Sequence, residues 1–203
     1  MQDETTMATH GKLTPGDLMS LERYARERSE FRLKVIGHKK NRTVAVGPHM
    51  TGCFEDRLTI QYQVQEMLRV ERIFEPDGIE EELNAYNPLI PDGRNWKATL
   101  LIEYADPAER KQALAKMRGV EDRCWVEVEG CERVYAIADE DLERENEEKT
   151  SSVHFLRFEL DERMREALGR GAALSIGVDH DAYSHAVSPL PDNVRSALLD
   201  DLA

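Results

Sequence analysis

The spacing of apolar residues in the first part of the chain is mostly that of helices. A first helix is predicted within residues 13–26, with Thr14 as its N-cap and a proline at its first helical position. A second helix is predicted over 30–40, where apolar residues recur every three to four positions. A short strand is predicted at 42–47, and residues 48–55 are predicted to form a loop.

Residues 57–65 permit two interpretations. Every second residue from Leu58 to Val64 is apolar, as in a half-buried strand. A helix that starts at Asp56 instead collects five apolar side chains on one side: Ile60, Val64, Met67, Val70 and Phe74. We favour one long helix, because no helix breaker separates the two halves, and the strand alternative stays open. On the helical interpretation Glu71 falls inside the apolar stripe and needs a cationic or hydrogen-bonding partner.

Strands and helices alternate further along the chain. The strands are predicted at 97–104, 152–160 and 173–180, with a hairpin at 124–136 that turns near Glu129 and Gly130. The helices are predicted at 78–86, 106–119, 138–146 and 161–171. This order predicts an α+β fold, in which a helical N-terminal region is followed by a mainly antiparallel sheet with flanking helices.

The same pattern divides the chain into four parts. We expect a disordered N-terminus over 1–12, a mainly helical region over 13–95, an α+β sheet region over 96–187 and a tail helix within 188–203. Residues 13–187 are predicted to form one compact unit. The tail helix packs either on the body of the chain or on another copy in a homodimer.

Charge is distributed unevenly along the sequence. The chain has 27 basic and 40 acidic residues and a net charge of -13, which disfavours general binding to nucleic acid. Residues 12–42 nevertheless hold nine basic and four acidic residues, a local charge of +5. No apolar run approaches the roughly 20 residues that cross a bilayer, so membrane insertion is not expected. The absence of a secretory or transit pattern and the three unpaired-looking cysteines favour a reducing cytoplasm.

Two polar segments are the candidates for a ligand site. Residues 38–42 (HKKNR) can hold a phosphate, a carboxylate or an acidic partner surface, although a solvated helix end explains them as well. Residues 55–72 place glutamines and charged residues along one helical face, as a ligand groove or a solvated surface does. The candidate ligand-binding residues for an anion or a metal are His38, Lys39, Arg42, Glu55, Gln65, Glu66 and Arg69.

Specific enzyme motifs are not found. The sequence has no Walker loop, no GxGxxG and no GxSxG elbow, and its six histidines form no metal-binding motif. No catalytic residue, metal ligand or cofactor is therefore assigned, and the sequence does not decide whether the protein is an enzyme. The polar segments also have a structural interpretation, in which Glu66 or Glu71 is buried against Arg42 or Lys39.

Several long segments carry a family resemblance, from Leu13 to the VDHDAY segment: LTPGDL, HKKNRTVAVGP, FEDR, QVQEMLRVERI, AYNPLIPDG, WKATLLIEY, VYAIADEDLER, KTSSVHFLRFEL and IGVDHDAY. They resemble a bacterial family that carries a domain of unknown function. The resemblance implies a cytoplasmic redox or peroxide-stress setting, because such proteins are encoded beside rubrerythrin-like proteins and iron-sulfur oxidoreductases. It assigns no redox role to Cys53 or Cys131.

The sequence does not identify the function, and it supports two hypotheses. The first is an accessory or interaction protein of a redox system, with a rubrerythrin-like or iron-sulfur protein as its partner. It would dock through the acidic C-terminal part or through the polar region 34–72. The alternative is an enzyme or a small-ligand-binding protein that uses the polar region 38–72.

Overall fold

The computed structural model describes residues 11–138 and 150–203 and shows the predicted α+β fold. The helices of these ranges are α1 (Leu21–Lys39), α2 (Arg57–Glu71), α3 (Pro76–Tyr86), α4 (Pro107–Lys116), α5 (Glu162–Gly169) and α6 (Asp192–Leu199). The strands are β1 (Thr43–Ala45), β2 (Met50–Glu55), β3 (Asn95–Ile102), β4 (Cys124–Val128), β5 (Val134–Tyr135), β6 (Ile137–Ala138), β7 (Val153–Glu159), β8 (Leu174–His180) and β9 (Tyr183–Val187).

The strands form two antiparallel sheets. The first has the order β1-β2-β3-β7-β6 and the second the order β5-β4-β8-β9. The chain passes from the second sheet to the first at Ala136, between β5 and β6. At β9, the last strand in the order of the second sheet, the Tyr183 hydroxyl donates to the carbonyl of Val46 (2.7 Å) and accepts from the amide of His49 (3.0 Å). These contacts join β9 to the turn between β1 and β2.

The main core lies between the two sheets. Alternate residues of β3 point into it, as shown by the buried side chains of Trp96, Ala98, Leu100 and Ile102. The indole N–H of Trp96 donates to the carbonyl of Leu198 in α6 (2.9 Å). The C-terminal helix therefore packs on the body of its own chain, which is the first of the two predicted alternatives.

The N-terminal helices have smaller cores of their own. Tyr24, Phe31 and Val35 of α1 form one, and Ile60, Val64 and Leu68 of α2 form another with residues of α3 and its neighbours. Helices α1 and α2 are antiparallel, because contacts pair the start of one helix with the end of the other. One face of each helix is buried in this way. On α2 the predicted residues Ile60 and Val64 belong to this face, but Val70 is exposed and Leu68 is buried in its place.

The prediction of a loop at residues 48–55 is wrong, because Met50–Glu55 forms β2. This strand pairs with β3 in the register Gly52↔Leu100, and its residues Met50, Gly52 and Phe54 face inward. Glycine is a poor strand former, so Gly52 interrupts the sequence pattern. The strand forms because it has a pairing partner on each side, β1 and β3.

The two helices predicted within 13–40 also have a different arrangement. Thr14 and Asp17 form the expected capping box, but it closes only a short 3-10 turn at Pro15–Asp17. Helix α1 begins later, with Ser20 as N-cap, and runs without a break to Lys39. No proline or glycine lies between residues 26 and 30 to end a helix there.

The preferred interpretation of residues 57–65 is confirmed, since α2 covers Arg57–Glu71 with Asp56 as its N-cap. Glu71 is exposed at the end of this helix, so the expected buried partner is not needed. The hairpin after residue 124 is confirmed, with Trp125 opposite Tyr135. The predicted helix at 138–146 and most of the predicted disordered N-terminus lie outside the described residues.

Two further predictions concern the chain as a whole. Strands from both sides of residue 95 share the first sheet, since β2 pairs with β3 and β3 pairs with β7. The predicted division of the chain at residue 95 stays a prediction. No helix in the described part of the chain has the length and apolar composition needed to cross a membrane. The three cysteines, Cys53, Cys124 and Cys131, are free thiols.

Candidate functional site

Two of the seven candidate residues, His38 and Arg42, meet in a buried ionic cluster. The guanidinium of Arg42 contacts both carboxylate oxygens of Asp201, and its Nε lies 3.0 Å from Oδ2 of Asp56. His38 contacts the same oxygen of Asp56 through Nε2. We call His38, Arg42, Asp56 and Asp201 the Arg42 cluster. It joins the end of α1 and the start of α2 to the C-terminal residues.

Burial sets the electrostatics of this cluster. It raises the pKa of Asp201 to about 7, since it outweighs the attraction of Arg42. Burial also opposes the ionisation of Asp56, but the hydrogen bond from His38 and the charge of Arg42 lower the pKa of that carboxyl. Only 2% of the Arg42 side chain is exposed. The guanidinium is therefore engaged inside the chain and is not presented to a ligand.

Glu66 and Arg69 belong to a second cluster. Glu66 accepts hydrogen bonds from the Tyr24 hydroxyl (2.6 Å), from two nitrogens of Arg28 (both 2.7 Å) and from Arg69 (3.3 Å). The Arg28 guanidinium lowers the pKa of Glu66 to about 2. We call these four residues the Glu66 cluster. It fastens α1 to α2 toward the end of the pair that lies away from the Arg42 cluster.

The other candidate residues bind the main chain or a neighbouring strand. Gln65 is fully buried and bonds both the amide of Met19 (2.6 Å) and its carbonyl (3.3 Å). Glu55 accepts from Thr99 (2.7 Å), and the carbonyl of Lys39 accepts from Thr43 (2.9 Å). Six of the seven residues thus make side-chain contacts at four separate places in the chain, and Lys39 contributes its main-chain carbonyl. The predicted burial of Glu66 or Glu71 against Arg42 or Lys39 is wrong. Arg42 contacts aspartates, and Glu66 contacts Arg28.

A groove opens where the glutamines of α2 hold the segment before α1. Gln61 donates to the carbonyl of Asp17 (2.6 Å), while Gln65 holds Met19 two residues later. The segment between them forms one wall of a cavity of about 430 Å³. The cavity is lined by Pro15, Leu18, Met19, Ser20, Leu21, Glu22, Leu68, Ile73, Phe74 and Ile79. We call it the apolar groove.

Eight of the ten lining residues are apolar, while polar atoms also reach the surface of the groove. Phe74 follows the end of α2 and is 66% exposed, although it is a lining residue. Glu22 is the one charged residue of the lining. Hydrogen bonds from its own amide and from Ser20 lower the pKa of Glu22, so this carboxylate already occupies the start of α1. The groove is thus suited to apolar groups.

Acidic residues surround one side of the groove. Residues 71–86, from the end of α2 through α3, contain six acidic residues and one basic residue. Burial and the charges of Glu71 and Glu81 raise the pKa of Glu82, which shows that carboxylates are crowded here. A cationic group near this side would relieve their repulsion.

The groove was hard to predict from the sequence. Leu18 and Leu21 have the spacing of ordinary core residues. The polar motifs suggested a site made of their own side chains, and not a groove beside the segment that Gln61 and Gln65 hold. Phe74 was the available signal, because it is a large apolar residue next to the exposed acidic start of α3. In the described residues, no group of three or more histidine, cysteine, aspartate or glutamate side chains is arranged to hold a metal ion.

Comparisons with known proteins extend over nearly the whole chain. The model of a family described as "Protein of unknown function (DUF3501)" matches residues 12–202. A crystal structure described as a novel protein of unknown function from Burkholderia pseudomallei K96243 is 50% identical and has a TM-score of 0.90. The alignment covers 95% of this chain and 100% of that one. No protein with a curated description matches the chain significantly.

Proposed function

Since the chain belongs to the DUF3501 family, whose description records no function, we propose from its geometry that it is an interaction protein. Its apolar groove would bind an amphipathic helical segment of a partner protein, with apolar residues facing the groove and basic residues beside them. The observation that carries this proposal is the exposed apolar groove between α1, α2 and α3, with acidic residues on one side.

The shape of the groove favours a helix as its occupant. Grooves between helices commonly accept the apolar face of an amphipathic helix, with anchors spaced three to four residues apart. Phe74 extends the apolar surface beyond the enclosed part of the groove, and a small ligand seated within would leave this ring exposed. A partner helix can cover both the groove and the ring.

The charge next to the groove selects the chemistry of the partner. The six acidic residues of 71–86 would repel an acidic segment and attract lysine or arginine. The flexible cations of such a segment can lie at the edge, where they speed association, while apolar side chains supply most of the affinity. The proposed partner segment is therefore cationic and amphipathic.

This proposal keeps the interaction role of the first hypothesis drawn from the sequence but moves the docking surface. Of the groove lining, only Leu68 belongs to the predicted region 34–72, and none belongs to the acidic C-terminal part. A rubrerythrin-like or iron-sulfur protein, a cytoplasmic location and a homodimer all stay predictions, and free thiols on all three cysteines are compatible with the location. The alternative of an enzyme or ligand-binding site in the region 38–72 has less support. Its candidate residues are engaged in contacts at separate places of the chain.

The test uses two labelled 18-residue peptides with the same leucine face, one with lysine on its polar face and one with glutamate. Fluorescence anisotropy with the full-length protein should show micromolar binding of the lysine peptide and at least about tenfold weaker binding of the glutamate peptide. Phe74→Ala should weaken the lysine peptide about tenfold, because it removes an aromatic anchor.

The matched control is Leu33→Ala, since Leu33 is 71% exposed on α1 and does not line the groove. This variant should bind as the wild type does. Equal binding of both peptides, or a Phe74→Ala variant with unchanged affinity, would show that the groove is not the site. Failure of both peptides to bind at 100 μM, roughly the weak limit for such contacts, would also reject the proposal.

A further inference from the structure

A polar cluster on the second sheet shares no residue with the apolar groove. Arg133 lies over the ring of Trp125, with its Cζ 3.9 Å from the ring centroid. Its Nε donates to Glu127 (2.6 Å), and its Nη1 lies 3.7 Å from Oδ2 of Asp179. The Tyr135 hydroxyl donates to the same oxygen of Asp179 (2.6 Å). We call these five residues the Trp125 cluster.

Gly177 makes room for the indole. Trp125 pairs with Gly177 across β4 and β8, and a Cβ atom at residue 177 would lie 2.3 Å from Cζ2 and 2.6 Å from Cε2 of Trp125. Any side chain there would collide with the ring. The edge of the indole that carries its N–H therefore lies over β8, the strand that also carries Asp179. Arg133 covers this ring and leaves Trp125 only 4% exposed.

Two buried polar atoms of the cluster are left without partners. Among the residues that the structure describes, neither Nε1 of Trp125 nor Oδ1 of Asp179 has a hydrogen-bond partner. Buried polar groups in proteins are nearly always paired, so this donor and this acceptor can each still accommodate a hydrogen-bond partner. The cluster also sets the two carboxylates of Glu127 and Asp179 against the single charge of Arg133.

We propose that the Trp125 cluster is a binding site for the guanidinium of an arginine side chain from a partner protein, and that Arg133 occupies it in the free chain. The position of Arg133 is the template for the ligand, since it shows that a planar cation fits over the indole and between the carboxylates. An incoming arginine displaces Arg133, pairs with Asp179 and can offer its main-chain carbonyl to the Trp125 N–H.

The ring contact favours arginine over lysine. A guanidinium stacks flat on an aromatic ring and still donates hydrogen bonds in its plane, whereas an ammonium group is more strongly hydrated. Arg133 is 43% exposed and its partner Glu127 is 40% exposed, so both side chains can move without disturbing the core. The site is thereby closed by one surface side chain, which sets its affinity for an external arginine.

The probe is N-acetyl-arginine amide, which carries both the guanidinium and main-chain carbonyls. Titration of the full-length protein is followed by the indole N–H signals in NMR spectra, assigned with a Trp125→Phe variant. In Arg133→Ala, the Trp125 signal should shift saturably at millimolar concentrations, with an affinity about tenfold above that of the wild type. The Trp96 signal should stay in place, because its N–H is bound to Leu198 in the core.

The matched ligand is N-acetyl-citrulline amide, which has the same shape without the charge and should not bind. Asp179→Asn added to Arg133→Ala should weaken the arginine probe at least about fivefold. Arg133→Gln serves as a second opened variant if alanine at this position disturbs the fold. Equal shifts with citrulline, or no saturable Trp125 shift in either opened variant while Trp96 keeps its native signal, would overturn the proposal.

Discussion

The Arg42 and Glu66 clusters use the same chemical groups toward opposite ends of the α1–α2 pair, yet the carboxyl groups of Asp201 and Glu66 respond in opposite ways. The side chain of Arg42 is 2% exposed, whereas that of Arg28 is 30% exposed. The pKa of Asp201 is raised to about 7, while that of Glu66 is lowered to about 2. Contact with an arginine therefore does not by itself determine the charge of a carboxyl group.

Burial and stoichiometry explain the difference. In the Arg42 cluster one guanidinium is shared by two carboxylates, of which Asp201 is the more deeply buried and Asp56 has His38 as a further partner. In the Glu66 cluster one carboxylate receives hydrogen bonds from two arginines and a tyrosine near solvent. In the first cluster Asp201 thus shares its only guanidinium with Asp56, whereas in the second cluster Glu66 is surrounded by donors.

The largest expected effect comes from Arg42→Ala. The change leaves Asp56 and Asp201 buried without their shared cation, which should cost about 3–5 kcal/mol in the free energy of unfolding. Urea unfolding at pH 7, followed by circular dichroism, measures this loss. The C-terminal residues should also exchange amide hydrogens faster, because Asp201 no longer ties them to Arg42.

Arg28→Ala is the comparison variant, because it removes an arginine from the more exposed cluster. It should cost much less than Arg42→Ala, as expected of partly exposed ion pairs. The comparison between the clusters would fail if the two variants lost similar stability.

The second effect is a dependence of stability on pH that Asp201 controls. An acid whose pKa rises from about 4 in the unfolded chain to about 7 on folding binds its proton more tightly in the folded state. Its contribution to stability is therefore fully present below pH 4 and is lost as the pH rises through 7. The loss should be a few kcal/mol, on the order of 1.4 kcal/mol for each unit of the shift.

Asp201→Asn should remove most of this slope, because the amide keeps the shape of the protonated acid but does not titrate. Urea unfolding at pH 5, 6, 7 and 8 compares the variant with the wild type. Asp200→Asn is the matched control, since Asp200 is the exposed neighbour and should leave most of the slope in place. An unchanged slope in the Asp201→Asn variant would mean that other groups control the pH dependence.

The helices and most strands of the fold follow from local pattern. Residues 57–71 form a helix because their apolar side chains meet α1 and α3 at helical spacing, and Asp56 caps the first turn. Strand β2 could not be found in this way, because Gly52 weakens its pattern and its stability comes from pairing with β1 and with the distant β3. Pairing over long sequence separations leaves no local signal.

The contacts of the polar motifs could not be deduced from the sequence. Gln65 lies on the same helical face as charged residues, and only the fold shows that its amide holds the main chain of Met19. Arg42 appeared to belong to an exposed basic segment, yet it binds Asp201 from the other end of the chain. Spacing indicates which residues share a helical face, whereas the partner across that face depends on the whole fold.

The smallest expected effect concerns the Glu66 cluster, whose contribution to stability should change with pH in the opposite direction to that of Asp201. Glu66→Gln removes a charge that three neighbours bind and should cost about 1–2 kcal/mol at pH 7, reduced from the full pKa shift because Arg28 and Arg69 are partly exposed. The pKa of Glu66 is lower in the folded chain than in the unfolded one, so its contribution is present above pH 4.5 and is lost as the pH falls toward 2. The stability difference between wild type and variant should therefore shrink between pH 5 and pH 2.5 in urea unfolding.

Glu27→Gln is the control on α1, since Glu27 pairs only with exposed Arg23 among the described contacts and should change stability by less than about 0.5 kcal/mol. A difference between wild type and Glu66→Gln that stayed constant over this pH range would show that the amide loses shape or packing rather than charge, and the contrast with Asp201 would then rest on one cluster alone.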